Sequence, residues 1–218
     1  MIEKTEIPEL KLLPIHEYAG VNELDPIKYY TYPVFGKMYR KRVELCLSQC
    51  NGGEKILEIG FGTGLTFINL NSMYKEIHGL DLTVEINKVG ELFKRHGVKT
   101  YLKNGSVLTM PYDENTFDTV LLISILEHLK PDELTQAFSE IYRVLKPGGQ
   151  VIYGVPVERE FMVFMFRLLG HNIRDEHFST EEDVYLAAKQ IFQEVKRIRM
   201  FGIPSFMGEV YQIGHFVK

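Results

Sequence analysis

One stretch constrains this chain more than any other: Lys55-Ile-Leu-Glu-Ile-Gly-Phe-Gly-Thr-Gly-Leu65, an apolar run that ends abruptly in three glycines spaced by single residues. Ile56, Leu57 and Ile59 suit a strand buried on both faces of a parallel sheet, which reads as a continuous apolar run rather than an alternating one. Glu58 interrupts that run, and a carboxylate there is costly to bury unless a cation or a hydrogen-bond donor meets it. Gly60, Gly62 and Gly64 admit positive φ and carry no Cβ, so the backbone can turn tightly and a ligand can approach it closely. Leu65, Phe67 and Ile68 then predict a helix over 65–74 whose N-terminus faces the turn.

Strand, glycine turn and helix make the first half of a nucleotide-binding unit, and the spacing narrows the nucleotide. The dinucleotide fingerprint is G-x-G-x-x-G, whereas this chain has Glu58-x-Gly60-x-Gly62-x-Gly64 and no phosphate-loop lysine after it. A carboxylate ahead of the turn repels a pyrophosphate and suits a ligand that carries positive charge. Asp81 lies 21 residues after Gly60, at the tip of a second strand read over 75–82. An acidic side chain there is placed to accept hydrogen bonds from the two ribose hydroxyls of a nucleoside. Two plainer readings stand beside these: a glycine turn with no ligand, and Asp81 with Thr83 as a helix N-cap.

The chain continues as alternating strands and helices. Ile86, Val89, Leu92 and Phe93 share one face of a helix over 83–96 that Gly97 closes, and strands are predicted over 98–103 and 119–123. Pro131 opens a helix with a Leu134, Phe138, Ile141, Leu145 stripe, Lys146-Pro-Gly-Gly149 ends it, and a fifth strand follows over 150–156. Ser179 with Glu182 reads as a capping box opening a helix to about 192. Strands over 194–200 and 210–217 leave no room for a helix between them, so they pair antiparallel. The expected fold is α/β, a doubly wound, mostly parallel seven-stranded sheet ending in a C-terminal antiparallel hairpin.

Ahead of the sheet, residues 1–50 read as an arm and a helix, and 51–218 as the main part of a single globular domain. Tyr29, Tyr30, Tyr32 and Phe35 crowd together, as packing of the arm or as a lid, and Tyr39, Val43, Cys46, Leu47 and Cys50 fall at helical spacing. Lys37, Arg40, Lys41 and Arg42 read as a solvated face of that helix. Cys46 and Cys50 read as core thiols, and two ligands alone do not make a zinc site, so no metal is expected. The run Phe161-Met-Val-Phe-Met-Phe166 falls far short of the ~20 residues that span a bilayer and reads either as a cover over a site or as a homodimer surface. A net charge of −4 leaves no basic footprint for nucleic acid or an anionic membrane. With no leader-like start after Met1, the expectation is a soluble cytoplasmic protein with a small-molecule partner and no membrane span.

Over about 52–156 the chain resembles the class I S-adenosylmethionine-dependent methyltransferases. Glu58-x-Gly60-x-Gly62-x-Gly64 is similar to their motif I, Ser124-Ile-Leu-Glu-His128-Leu to the motif after their fourth strand, and Leu145-Lys-Pro-Gly-Gly149 to the break before their fifth. The resemblance implies a Rossmann-like fold with S-adenosyl-L-methionine as cofactor, held by Tyr30, Glu58 and the three glycines. It implies Asp81 with Leu82 at the ribose, Val107 and Ser106 near the adenine, and Ser124 along the methionine part. Ser106 departs from the pattern, since the family usually has an aspartate there. The implied activity is methyl transfer to a small-molecule acceptor, metabolite or lipid-like, by direct displacement. His128 and His177 are candidate general bases because histidine titrates near neutrality. The family's Asn-Pro-Pro-aromatic motif for methylating bases is replaced by Ser124-Ile-Leu-Glu, which disfavours nucleic acid as acceptor. A non-catalytic cofactor-binding or scaffold subunit and an NAD-dependent oxidoreductase are the rival readings.

Overall fold

β1 (Gly53–Ile59) runs through the middle of a seven-stranded sheet of order β3-β2-β1-β4-β5-β7-β6. In this computed structural model residues 7–22, 27–33, 35–157, 177–202 and 208–218 are described. β2 (Tyr74–Asp81), β3 (Thr100–Asn104), β4 (Phe117–Ile123) and β5 (Leu145–Pro156) run parallel to β1, as the apolar run of Ile56 and Leu57 requires. β6 (Gln193–Phe201) and β7 (Glu209–Val217) form the antiparallel hairpin, with β7 inserted between β5 and β6.

Helices cover both faces. α1 (Phe35–Leu47), α2 (Phe67–Asn71) and α3 (Ile86–Arg95) share one core with Ile56, Ile77 and Leu121. On the other face α4 (Pro131–Val144) and α5 (Glu181–Ile191) pack with Leu57, Val120 and Leu122. The arm joins the first core: Leu10 and Tyr18 are buried there, and two 3-10 turns, Ile15–Tyr18 and Ile27–Thr31, lead to α1. Arg40 holds the arm by donating to the carbonyls of Tyr30 (3.2 Å) and Leu10 (3.3 Å), so it is not the solvated residue its neighbours suggested. Lys37 is exposed, as expected. Cys46 and Cys50 are free, buried thiols, and burial pushes the Cys50 thiol up to about 12. No described helix is long and apolar enough to cross a membrane.

Three local expectations shift. The helix predicted over 65–74 shrinks to Phe67–Asn71, because Gly64 and Phe67 spend their N–H groups on tight turns to Phe61 and Gly64, and Tyr74 already belongs to β2. The capping box of α5 lies one residue later than predicted. Thr180 accepts from Asp183 N–H (3.2 Å), while Ser179 Oγ donates to the Leu129 carbonyl (2.6 Å). α4 ends at Val144, and Lys146-Pro-Gly-Gly149 becomes an irregularity inside β5, where the partners of Phe117 and Thr119 jump from Leu145 to Gln150. That irregularity brings Lys146 Nζ to 2.6 Å from Asp118, which also accepts from Glu54 and Lys55 N–H at 2.9 and 2.7 Å. Burial opposes ionisation of Asp118, but these donors outweigh it and its pKa is lowered. The run Phe161–Phe166 lies outside the described residues.

Two predictions follow from the core. Tyr153 is fully buried and its hydroxyl has no hydrogen-bond partner among the described residues, so Tyr153→Phe should raise stability by about 1 kcal/mol, read as a higher urea midpoint. His215, 2.9 Å from Gln150 Oε1, has its pKa lowered from 6.5 by desolvation and then by Lys196, and burial lowers that of His78 despite Glu76. The unfolded chain then binds more protons than the folded one below about pH 6.5, so stability falls as pH drops through that range. Melting at about pH 7.5 and 5.5 should show the loss, and His215→Gln should reduce it; equal melting temperatures at both pH values would contradict this.

Candidate functional site

Parallel strands deliver their carboxyl ends to one edge, and the predicted binding residues follow those ends in turn. Gly60, Gly62 and Gly64 follow β1; Asp81 ends β2 and Leu82 follows it; Ser106 and Val107 follow β3; Ser124 follows β4. In an open α/β sheet this edge is where ligands bind.

The turn after β1 is built on left-handed backbone, with φ of +70° at Gly60 and +54° at Gly62. At Gly60 a Cβ would lie 2.0 Å from Ile125 Cδ1, so the glycine also lets the segment after β4 close against the turn. Glu58 is 4% exposed, and the Thr66 hydroxyl donates a short hydrogen bond to it. A donor from the chain itself thus meets the carboxylate in the strand. Asp81 accepts from Gly62 N–H through Oδ2 (3.1 Å) and from Thr83 and Val84 N–H through Oδ1 (3.1 and 3.2 Å). The carboxylate thus closes a turn ahead of α3 and ties the glycine turn to β2, while the N-cap position of α3 itself is Glu85. α3 begins at Ile86, beyond this turn.

Other predicted residues differ in what they touch. Leu82 is 70% exposed beside Asp81. Ser106 turns its hydroxyl back to accept from Leu108 N–H (3.1 Å), while Val107 is buried in the core. Ser124 takes positive φ, +57°, with its N–H donating to the Gly154 carbonyl (2.8 Å). His128 and His177 come together edge to face, ring centroids 5.1 Å apart.

Arg42 is the residue that local reading missed. The residue is half-buried and its Nε is sealed from solvent without a hydrogen-bond partner among the described residues. Its Nη1 donates to Ser124 Oγ (3.0 Å) and its Nη2 to Tyr30 Oη (3.1 Å), and the guanidinium carbon lies 4.4 Å from the centre of the Tyr39 ring. Tyr211 Oη meets Ser124 Oγ at 3.0 Å. Burial opposes the charge, yet Tyr30, Tyr211 and Tyr39 more than offset it and the pKa is raised. Every described hydrogen-bonding partner of this cation is a neutral hydroxyl. The available signal was the spacing of Tyr39, Arg42 and Cys46, which puts Arg42 on the inward face of α1. The edge therefore carries a carboxylate, Asp81, at one end, a glycine turn in the middle and a half-buried cation at the other.

Residues 56–149 match the methyltransferase domain family. Demethylmenaquinone methyltransferase of Staphylococcus carnosus is 34% identical over 119 residues, which are 53% of this chain and 48% of that protein. This chain thus spans about half the length of the curated relatives it matches. Among solved structures, the N-methyltransferase NodS of Bradyrhizobium japonicum with S-adenosyl-L-homocysteine superposes with a TM-score of 0.68 at 20% identity, covering 93% of this chain and 95% of that one. The [4+2]-cyclase SpnF superposes with a TM-score of 0.67 at 16% identity, covering 85% and 83%. These structural likenesses establish the fold, and residues 56–149 within it are similar to a methyltransferase domain.

Proposed function

We propose that this protein transfers the methyl group of S-adenosylmethionine to a small-molecule acceptor in the cytoplasm. The observation that carries the reading is the pairing of opposite charges along one strand edge, Asp81 and the half-buried Arg42, on either side of the glycine turn. The cofactor has the matching polarity: ribose hydroxyls that donate to a carboxylate at one end and a free α-carboxylate at the other. An ionised carboxylate has about four acceptor sites, so Asp81 keeps capacity for a ribose hydroxyl beside its three backbone donors. The guanidinium of Arg42, hydrogen-bonded only to neutral hydroxyls among the described residues, is suited to a ligand carboxylate.

In this reading Tyr30 and Ser124 orient Arg42 and line the methionine part, and the arm with α1, residues 1–50, covers it. Val107, Ser106 and Leu82 border the adenosine. Methyl transfer has an acceptor lone pair attack the methyl carbon while neutral thioether leaves, so holding the two reactants in line supplies much of the rate. His128 and His177 stand beyond β4, where an acceptor proton can be taken up. The relative named above methylates a demethylmenaquinone by its name, which supports a small acceptor; nucleic acid is disfavoured by the acidic balance of the chain. The cyclase among the structural neighbours makes a cofactor-binding protein without methyl transfer the second reading.

Incubating the protein with a metabolite extract and methyl-labelled S-adenosylmethionine should yield a labelled product by mass spectrometry; cofactor binding with no product from any extract would favour that second reading. Asp81→Ala should weaken S-adenosylhomocysteine binding at least tenfold, since each hydrogen bond to a charged group contributes roughly 1.5–3 kcal/mol. It should also lower the melting temperature, because three backbone donors lose their acceptor. Unchanged calorimetric affinity would refute the ribose assignment.

A further inference from the structure

Two segments 49 positions apart converge beside this site. Glu127 and His128 lie in the 3-10 turn Leu126–His128 that follows β4, and His177 approaches from the segment ahead of α5. The backbone holds the two together. Phe178 and Ser179 N–H both donate to the Glu127 carbonyl (2.9 and 3.3 Å), and Ser179 Oγ donates to the carbonyl of Leu129 (2.6 Å). The two imidazoles meet at an interplanar angle of 74°. One ligand atom from each of Glu127, His128 and His177 lies within 4.8 Å of the other two. The cluster is graded from inside to outside, with Glu127 3% exposed, His177 half-buried and His128 exposed. It also adjoins the cofactor edge, because Glu127 follows Ser124, whose hydroxyl meets Tyr211 Oη, by three residues in the segment leaving β4.

We propose that Glu127, His128 and His177 form a binding site for one zinc-class divalent ion that takes an oxygen of the methyl acceptor as its next ligand. Two imidazoles and one carboxylate are a donor set of catalytic zinc, which keeps a position open for water or substrate. A tetrahedral ion with nitrogen and oxygen ligands at about 2.0–2.2 Å spaces them about 3.4 Å apart. Rotation of the exposed His128 side chain can close the observed spacing to that value, while Glu127 supplies the buried negative charge. Three protein ligands leave an open position toward solvent and the cofactor edge.

The chemistry this supplies is acceptor activation. A hydroxyl coordinated to the ion loses its proton to solvent more readily, as bound water does. The resulting oxygen lone pair forms the O–CH₃ bond while the S–CH₃ bond breaks, its electron pair staying on sulfur as neutral thioether. His128 and His177 then act as ligands rather than as bases, and the acceptor class is an alcohol, phenol or enol. This acceptor role rests on the methyl-transfer reading; the metal site itself does not.

The test uses tag-free full-length protein stripped with a chelator, titrated with Zn(II) by calorimetry and with Co(II) by visible absorption. One equivalent should bind, and His177→Ala and Glu127→Gln should each weaken binding at least tenfold, with the Co(II) spectrum changed. Because Glu127 is buried, its variant must melt cooperatively to count; His177→Ala, at a half-buried position on the separate segment ahead of α5, carries the test on its own. No uptake, or uptake that His177→Ala leaves unchanged, overturns the proposal. S-adenosylhomocysteine affinity of the stripped protein is measured alongside. If it is retained while zinc does not bind, only the metal site fails; if it is lost while zinc binds, the cofactor reading fails and the metal site stands.

Discussion

The parallel pairing of β1 with β2 on one side and β4 on the other is the constraint from which the rest follows. A strand hydrogen-bonded along both edges and covered on both faces has to be apolar, and Ile56 and Leu57 are fully buried on opposite faces, in the two separate cores. Parallel strands also send all their carboxyl ends to the same edge. The chain leaving β1 must reverse there within a few residues, next to the chains leaving β2 and β4. Left-handed glycines make that reversal, and the missing Cβ at Gly60 is what lets Ile125 pack against it.

Once the edges coincide, polar groups far apart in sequence become neighbours. Asp81 clamps the glycine turn through Gly62 N–H, so one carboxylate holds two loops in register. At the other end α1 turns Arg42 inward, where Tyr30, Tyr39, Tyr211 and Ser124 surround it. A half-buried cation whose described hydrogen-bond partners are hydroxyls rather than carboxylates is suited to an anionic ligand. The glycine turn between these two groups is accordingly a place where a ligand can lie close to the backbone.

The sheet was legible in the sequence because it rests on short-range patterns: continuous apolar runs, glycine and proline breaks, and a tail too short for a crossover helix between β6 and β7. The places of the glycines, Asp81 and Ser124 at the ends of β1, β2 and β4 were legible for the same reason. What was not legible depends on contacts between distant segments. Arg42 sits among Lys37, Arg40 and Lys41, and local charge reads as a solvated face until the partner surface is known. Asp81 reads as either cap or ligand group, and its bonds to Thr83 and Val84, in a turn ahead of α3, appear only with the loop in place. The box at α5 slipped by one residue because Ser179 is drawn to Leu129, 50 positions away. His177 and the Glu127-His128 pair meet only through the bonds of Phe178 and Ser179 to the Glu127 carbonyl. The run Phe161–Phe166, expected as a cover or as a homodimer surface, lies outside the described residues.

The central claim, that Arg42 and Asp81 grip opposite ends of one cofactor, is tested most directly by comparing S-adenosylhomocysteine with methylthioadenosine, which has the same nucleoside and no amino-acid carboxylate. Calorimetry of both ligands on the native protein and on Arg42→Met should show native protein preferring S-adenosylhomocysteine at least tenfold, as a charge-assisted pair of roughly 1.5–3 kcal/mol implies. Arg42→Met should bind the two with nearly equal affinity while keeping its affinity for methylthioadenosine. A preference that survives Arg42→Met undiminished, or a native protein that binds neither ligand, would contradict the account.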